Sequence, residues 1–170
     1  MPFEQSPTRG CTVKYVAGFV QIRCPLARHG TGLLDTNIVY VGRLEVTGDT
    51  IHLKRVLENL VMNAIKFSTP GTQITLGARR AGDGVCVWVD DEGPGVPVAE
   101  QEKLFTEYGR TSVRPTGGES TTGLGLAICK RIVLAHGGVI SMHNRPTGGA
   151  HFEFTLPRAA KPVGVESRAA

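Results

Sequence analysis

Two periods of apolar residues succeed one another from Gly48 onward, and each predicts an element. In GDTIHLKRVLENLVMNAIKFSTPG (48–71), Leu53, Leu57, Leu60 and Ala64 fall within about 40° of one another at 100° per residue, the stripe of a core-facing helix. Asp49 is a suitable N-cap, and Pro70 with Gly71 stops the helix. On the same wheel Asn59, Asn63 and Lys66 gather at about 220° to 280°, a single polar flank. Asparagine is a mediocre helix former, so two of them in one turn call for a reason beyond the helix itself.

The period then changes to two. TQITLGARR (72–80) and VCVWVD (85–90) read as strands joined by AGDG, a hairpin signal, and the second strand runs into the carboxylate pair Asp90 and Asp91 followed by GPGVP. A short helix is expected over VAEQEKLF (98–105), started by Pro97. The Gly, Ser and Thr-rich TEYGRTSVRPTGGESTTG (106–123) is long for a connection in a compact domain and reads as a lid. A second long helix, GLGLAICKRIVLAH (123–136), is stopped by GG, and VISMHNR and HFEFTLP form a hairpin around PTGGA. The first third carries strand-like composition in KYVAGFVQIRC and NIVYVGRLEV with loop chemistry between, and the tail RAAKPVGVESRAA reads as disordered.

Composition narrows the classes. A chain of 170 residues with 41% apolar and 20% charged residues suits one globular domain. Cys11, Cys24, Cys86 and Cys129 are far apart with no CxxC pair, which suggests neither a zinc site nor a redox motif. The net charge of +4 comes from basic residues interleaved with acids, so nucleic acid is not an expected partner. No apolar stretch approaches the ~20 residues of a membrane helix, and MPFEQSPTRG lacks signal-peptide order. The expectation is a cytoplasmic chain without membrane contact of its own.

The candidate chemistry is that of a nucleotide. GPG (93–95) and GLG (123–125) each let backbone approach a ligand, although tight turns explain either one alone. There is no GxxxxGK[ST] and no GxGxxG after a strand, so a different phosphate cradle is needed. The bare N–H groups of the helix opening at Gly123 would provide one, or that end simply packs on the sheet. Asparagine oxygens are neutral ligands suited to Mg²⁺, and Lys66 could reach phosphate as a point charge; solvent-facing asparagines are the plain alternative. Asp91 could accept a hydrogen bond from the exocyclic amine of adenine, with Asp90 read as a turn aspartate.

Taken in order, these stretches resemble the ATP-binding catalytic domain of sensor histidine kinases, within the superfamily that includes gyrase-type topoisomerases and heat-shock chaperone ATPases. NLVMNAIKFS looks like the N box, DEGPGVP the G1 box, EKLFTEYGR the F box and TTGLGLAICKRIV the G2 box. The likeness covers residues 44–157, leaving 1–43 as a poorly matched segment and 158–170 as a tail. It implies an α/β (α+β) two-layer sandwich, a mixed, largely antiparallel sheet packed on three helices, with a mobile ATP lid. By the same analogy Asn63 holds Mg²⁺ with help from Asn59, Lys66 contacts phosphate, Phe67 lines the adenine side, and Asp91 reads the adenine amine. Gly93 and Gly95 make room for the base, Thr122, Gly123, Leu124, Gly125 and Leu126 bound the lid and phosphate site, and Arg110 is a further phosphate candidate.

Two departures accompany the resemblance. Arg55 stands where the family usually has glutamine, and none of His29, His52, His136, His143 and His151 is followed by Asp or Glu, the pattern of a phosphoacceptor. The resemblance therefore implies a catalytic domain that binds Mg-ATP and transfers the γ-phosphate to a histidine on a separate dimerisation domain, with a response regulator downstream. The cytosolic portion of a membrane sensor fits the same pattern. A glutamate that would activate water in the ATPase branches is replaced by Asn59, and Glu58 lies about 100° away on the wheel. The alternatives are a nucleotide-sensing docking module without catalysis and an anti-sigma-type serine kinase.

Overall fold

The computed structural model describes residues 12–16, 19–23, 35–40, 46, 48–69, 71–109, 111–116 and 123–158. Their centre is helix α1, Thr50–Phe67. Asp49 caps it: one carboxylate oxygen accepts the Ile51 and His52 N–H groups at 2.9 and 3.0 Å, satisfying donors that have no partner inside the helix. Val56, Leu60, Val61, Ala64 and Ile65 are buried. The apolar arc is wider than the stripe read from the sequence, and Leu53 and Leu57 at its edge are only half-buried. The reason is that α1 packs against two partners, the sheet and helix α3 (Gly125–Ala135), so it needs more than one narrow seam.

The expected hairpins form. Strands β4 (Gln73–Ala81) and β5 (Gly84–Asp90) pair antiparallel around Gly82 and Asp83, and β6 (Val139–Asn144) pairs with β7 (Ala150–Pro157). In β7 the alternation is complete: Ala150, Phe152, Phe154 and Leu156 are buried while His151, Glu153 and Thr155 between them are half-exposed. The sheet order is β3-β4-β5-β7-β6, antiparallel throughout except that β3 (Asp35–Tyr40) runs parallel to β4, with α1 lying between them in sequence. Strands β1 (Thr12–Val16) and β2 (Phe19–Arg23) form a separate antiparallel pair, so the first strand-like stretch of the sequence is two strands rather than one. The mixed, largely antiparallel sheet layered on helices is the architecture expected.

Two details differ from the sequence reading. Helix α2 is a single turn, Val98–Gln101, with residues 102–105 continuing as turns. Asp90 is not a turn residue: it closes β5, and its carboxylate is bonded to His151 Nδ1 on the neighbouring strand. His151 in turn stacks near His143, ring centroids 4.4 Å apart, and its Nε2 lies 3.5 Å from Glu153. Asp90 and Asp91 thus serve different surroundings, Asp90 on the cross-strand His151 and Asp91, just past the strand, in the pocket.

Candidate functional site

A pocket of about 420 Å³, open to solvent, lies between the C-terminal half of α1, the Asp91 end of the sheet and the first part of the lid segment. Helix α1 contributes Asn63 and Phe67, and α3 contributes Leu126. The loop after β5 gives Asp91, Gly95 and Val96, and β7 gives Ala150 and Phe152. Leu104, Thr111 and Val113 close the remaining side. Most of the lining is apolar, with Asn63 and Thr111 as uncharged polar groups and Asp91 as the one charge. That combination suits a flat ring with one hydrogen-bonding edge.

Asp91 is 3% exposed. Its Oδ1 accepts the N–H of Gly93 at 2.9 Å and of Ala150 at 3.0 Å. Both bonds fall on one oxygen, which leaves Oδ2 as the acceptor for a ligand. Burial pushes the Asp91 carboxyl above the usual carboxylate range, and the two N–H bonds and the Arg145 guanidinium oppose that rise, while Asp90 adds to it.

The two asparagines are divided between the pocket and its edge. Asn63 lines the pocket. Asn59, one turn earlier, lies against the start of α3: a Cβ on Gly125 would come 3.2 Å from Asn59 Oδ1. Its amide also bonds the Cys129 thiol, partly offsetting the burial that lifts Cys129 to about 12. Cys129 Sγ itself faces the Val56 carbonyl at 3.8 Å. The first turn of α3 therefore meets the polar flank of α1, and Gly125 is what lets it come close. That turn has no side-chain cap among the described residues, so its N–H groups remain available to an anion.

Lys66 takes part through its backbone. Its carbonyl accepts the Thr116 N–H at 2.9 Å and the Thr116 hydroxyl at 3.0 Å, and that hydroxyl also reaches the Ser68 carbonyl at 3.0 Å. Ser112 is held in the same way, its N–H and hydroxyl both donating to Glu100 at 2.8 and 3.1 Å. The described part of the lid is thus tied to the ends of α1 and α2 at Thr116 and Ser112, with Thr111 and Val113, on either side of Ser112, on the pocket.

The structure brings Asn63, Phe67, Asp91, Gly95 and Leu126 to one pocket, with Asn59 and Gly125 beside it. The Lys66 side chain is not part of the lining, and Gly93 is occupied by its own fold: a Cβ there would meet the Phe67 carbonyl oxygen at 2.7 Å. Gly123 has a φ of +69° and packs on the Tyr108 backbone, and Leu124 is the residue before α3. Arg110 and Thr122 lie outside the described residues. Sequence reasoning missed Val96, Leu104, Thr111, Val113, Ala150 and Phe152. Of these, Ala150 and Phe152 were findable, since β7's alternation puts them on the helix-facing side at the level of Asp91.

A single carboxylate at a strand end, an apolar slot, helical asparagines and an uncapped helix define a nucleotide-binding α/β sandwich. The chain belongs to the family of histidine kinase-, DNA gyrase B-, and HSP90-like ATPases, which residues 48–160 match. It is similar to the alginate biosynthesis sensor protein KinB of Pseudomonas aeruginosa, 41% identical over 109 residues that cover 64% of this chain and 18% of that protein. The sensor protein KdpD of Escherichia coli is 39% identical over 109 residues, 64% of this chain and 12% of that one. The chain thus spans under a fifth of the length of these relatives. Among solved structures, the catalytic domain of histidine kinase ThkA is 31% identical with a TM-score of 0.64, covering 75% of this chain and 81% of that one. The mycobacterial sensor histidine kinase MprB gives a TM-score of 0.68 at 27% identity, covering 75% and 86%. Within the family this is an ATP-binding catalytic domain of the sensor histidine kinase type.

Proposed function

We propose that residues 44–157 bind Mg-ATP and phosphorylate a histidine on a separate dimerisation domain. The observation that carries this reading is Asp91, buried at the end of an apolar slot with one carboxylate oxygen fixed by backbone and the other left over. An adenine amine would donate to that oxygen, with the base against Phe67 and beside Gly95 and Val96. Asn63, with Asn59 one turn before it, would hold Mg²⁺ by amide oxygens, a donor set suited to a hard ion that keeps several waters. Bound there, the metal would neutralise charge on the phosphates.

The remaining roles belong to the chain's own groups. The N–H groups opening α3 hold phosphate oxygens, with Thr122, Gly123, Leu124 and Leu126 bounding that end and Lys66 and Arg110 as further cations. The segment 111–116 excludes water from the base. No side chain of α1 stands in position to activate water, because Asn59 occupies the turn before Asn63 and Glu58 is rotated about 100° from it. Positioning for transfer to an incoming nucleophile is the chemistry that remains. A structure of histidine kinase ThkA in complex with the response regulator TrrA supports a response regulator as the eventual acceptor. A cytoplasmic location fits that partner. Among the described residues, no helix is long and apolar enough to cross a membrane.

Incubation with labelled ATP, Mg²⁺ and a cognate dimerisation domain supplied in trans tests the reading. Acid-labile, base-stable phosphate on the added domain is the expected result. Nucleotide-dependent docking of that domain without transfer would show a sensing module instead.

A further inference from the structure

The last residue of β6 and the turn that joins it to β7 reach back to the purine side of the pocket at three points. Asn144 Oδ1 accepts the Val96 N–H and Asn144 Nδ2 donates to the Val96 carbonyl, both at 2.8 Å. One side-chain amide thereby satisfies both backbone groups of a residue that lines the pocket, as an adjoining strand would. Arg145 Nη1 donates to the Asp91 carbonyl at 2.8 Å. Gly149, at a φ of +91°, lies so close that a Cβ there would be 1.9 Å from the same carbonyl oxygen.

Segment 91–96 is therefore clamped at one end by Asn144 and at the other by the turn after it, none of which lines the pocket. Gly95, at a φ of +70°, fits the same clamp, since a Cβ there would meet Asn144 Oδ1 at 2.8 Å. Hydrogen bonds on Asp91 Oδ1 fix the carboxylate relative to Ala150, and Arg145 fixes the peptide that carries it. The direction of Oδ2 follows from both.

We propose that Asn144 and Arg145 are positioning residues for base selection: they hold Asp91 Oδ2 and the Val96 wall so that a purine presenting an amino group is accepted and one presenting a carbonyl is refused. Adenine offers an N–H donor where guanine offers the O6 acceptor, and a fixed carboxylate rejects the second by leaving two acceptors face to face. If Oδ2 could swing, that repulsion would be relieved and selectivity lost. The inference rests on the reading of Asp91 as the adenine acceptor. Arg145 has a second effect, since its charge favours the ionised carboxylate against the burial that opposes it, with Asp90 acting the other way.

The test is competition of ADP and GDP against a fluorescent adenine nucleotide on the full chain. Arg145→Ala and Asn144→Ala are each expected to lower the ADP-over-GDP preference at least about five-fold, the scale of one mispositioned hydrogen bond. Arg145→Lys, which keeps the charge and can reach the Asp91 carbonyl, should retain most of it. In an Asp91→Asn background neither alanine change should lower the preference further. The acid limb of ADP binding should move to higher pH in Arg145→Ala, a shift that a purely structural support would not produce. Unchanged preference in both alanine variants, or an equal further loss in the Asp91→Asn background, would overturn the proposal. A wild-type preference in Asp91→Asn alone would overturn the purine reading itself, so the two failures are told apart. Should an alanine variant lose its cooperative melting, Asn144→Ser gives the same readout with a polar side chain retained.

Discussion

Asp91 shows how one side chain can be costly to the fold and necessary to the site. Its carboxyl is raised by burial, so the ionised form is the less stable one in the folded chain. Its contribution to stability is fully present below the unfolded carboxylate value and is lost as pH rises through the raised folded value. Asp91→Asn, whose amide oxygen can still accept from Gly93 and Ala150, should therefore melt at a higher temperature than wild type at pH 7. The gap should close as pH falls toward the carboxylate range, and equal melting temperatures at every pH would contradict the assignment. Asn63→Ala makes the complementary case: it should leave the melting temperature nearly unchanged and lower Mg²⁺-dependent ATP affinity at least about ten-fold, read by calorimetry with and without metal. At this scale the sequence was readable where geometry is periodic. Asn63 and Asp91 could be placed by a helical wheel and a strand end. Asp90 was misread because a carboxylate before glycines looks like a turn, and only the cross-strand His151 shows otherwise. Asn144 and Arg145 left no trace, since an amide and a guanidinium at the end of a strand carry no periodic signal.

Among the elements, α1 bears most of the load, since it packs on the sheet with one side and on α3 with the other. Leu60, fully buried at the middle of that arc, should cost about 3 kcal/mol when cut to alanine, within the range for Leu→Ala in a packed core. Urea denaturation with an unchanged slope would measure it, and a loss below about 1 kcal/mol would mean that the α1 core is loosely filled. The ends of α1 and α3 and both hairpins were legible, because Asp49, Pro70, AGDG and the paired glycines are local stop and turn signals. Helix α2 was overestimated by about a turn, since EKLF carries helical residues while the chain already turns to deliver Leu104 to the pocket. The parallel pairing of β3 with β4 was not legible at all: a crossover leaves no turn residues at the point of contact, and the register is set by packing over more than thirty residues of intervening chain.

The whole molecule offers its pocket only when distant parts of the chain meet: residues 59–67, 91–96, 104–113, the start of α3 and the start of β7. A ligand that binds this assembled state and not the unfolded chain stabilises it by mass action, about 2.7 kcal/mol at a hundred times its dissociation constant. ADP with Mg²⁺ should raise the melting temperature, and Asn63→Ala should reduce the metal-dependent part of that rise. An absent shift at millimolar nucleotide would remove the basis of the proposed function.

Strand β3 lies at 35–40, outside the 48–160 that match the family, yet it covers one margin of β4. A version trimmed to begin at 48 would strip six residues of pairing from β4 and bare its row of amides and carbonyls to neighbouring molecules. Such a trimmed protein should self-associate, visible as light scattering at concentrations where the longer chain stays clear. The useful limit for anyone preparing this domain is thus set by strand cover rather than by family resemblance.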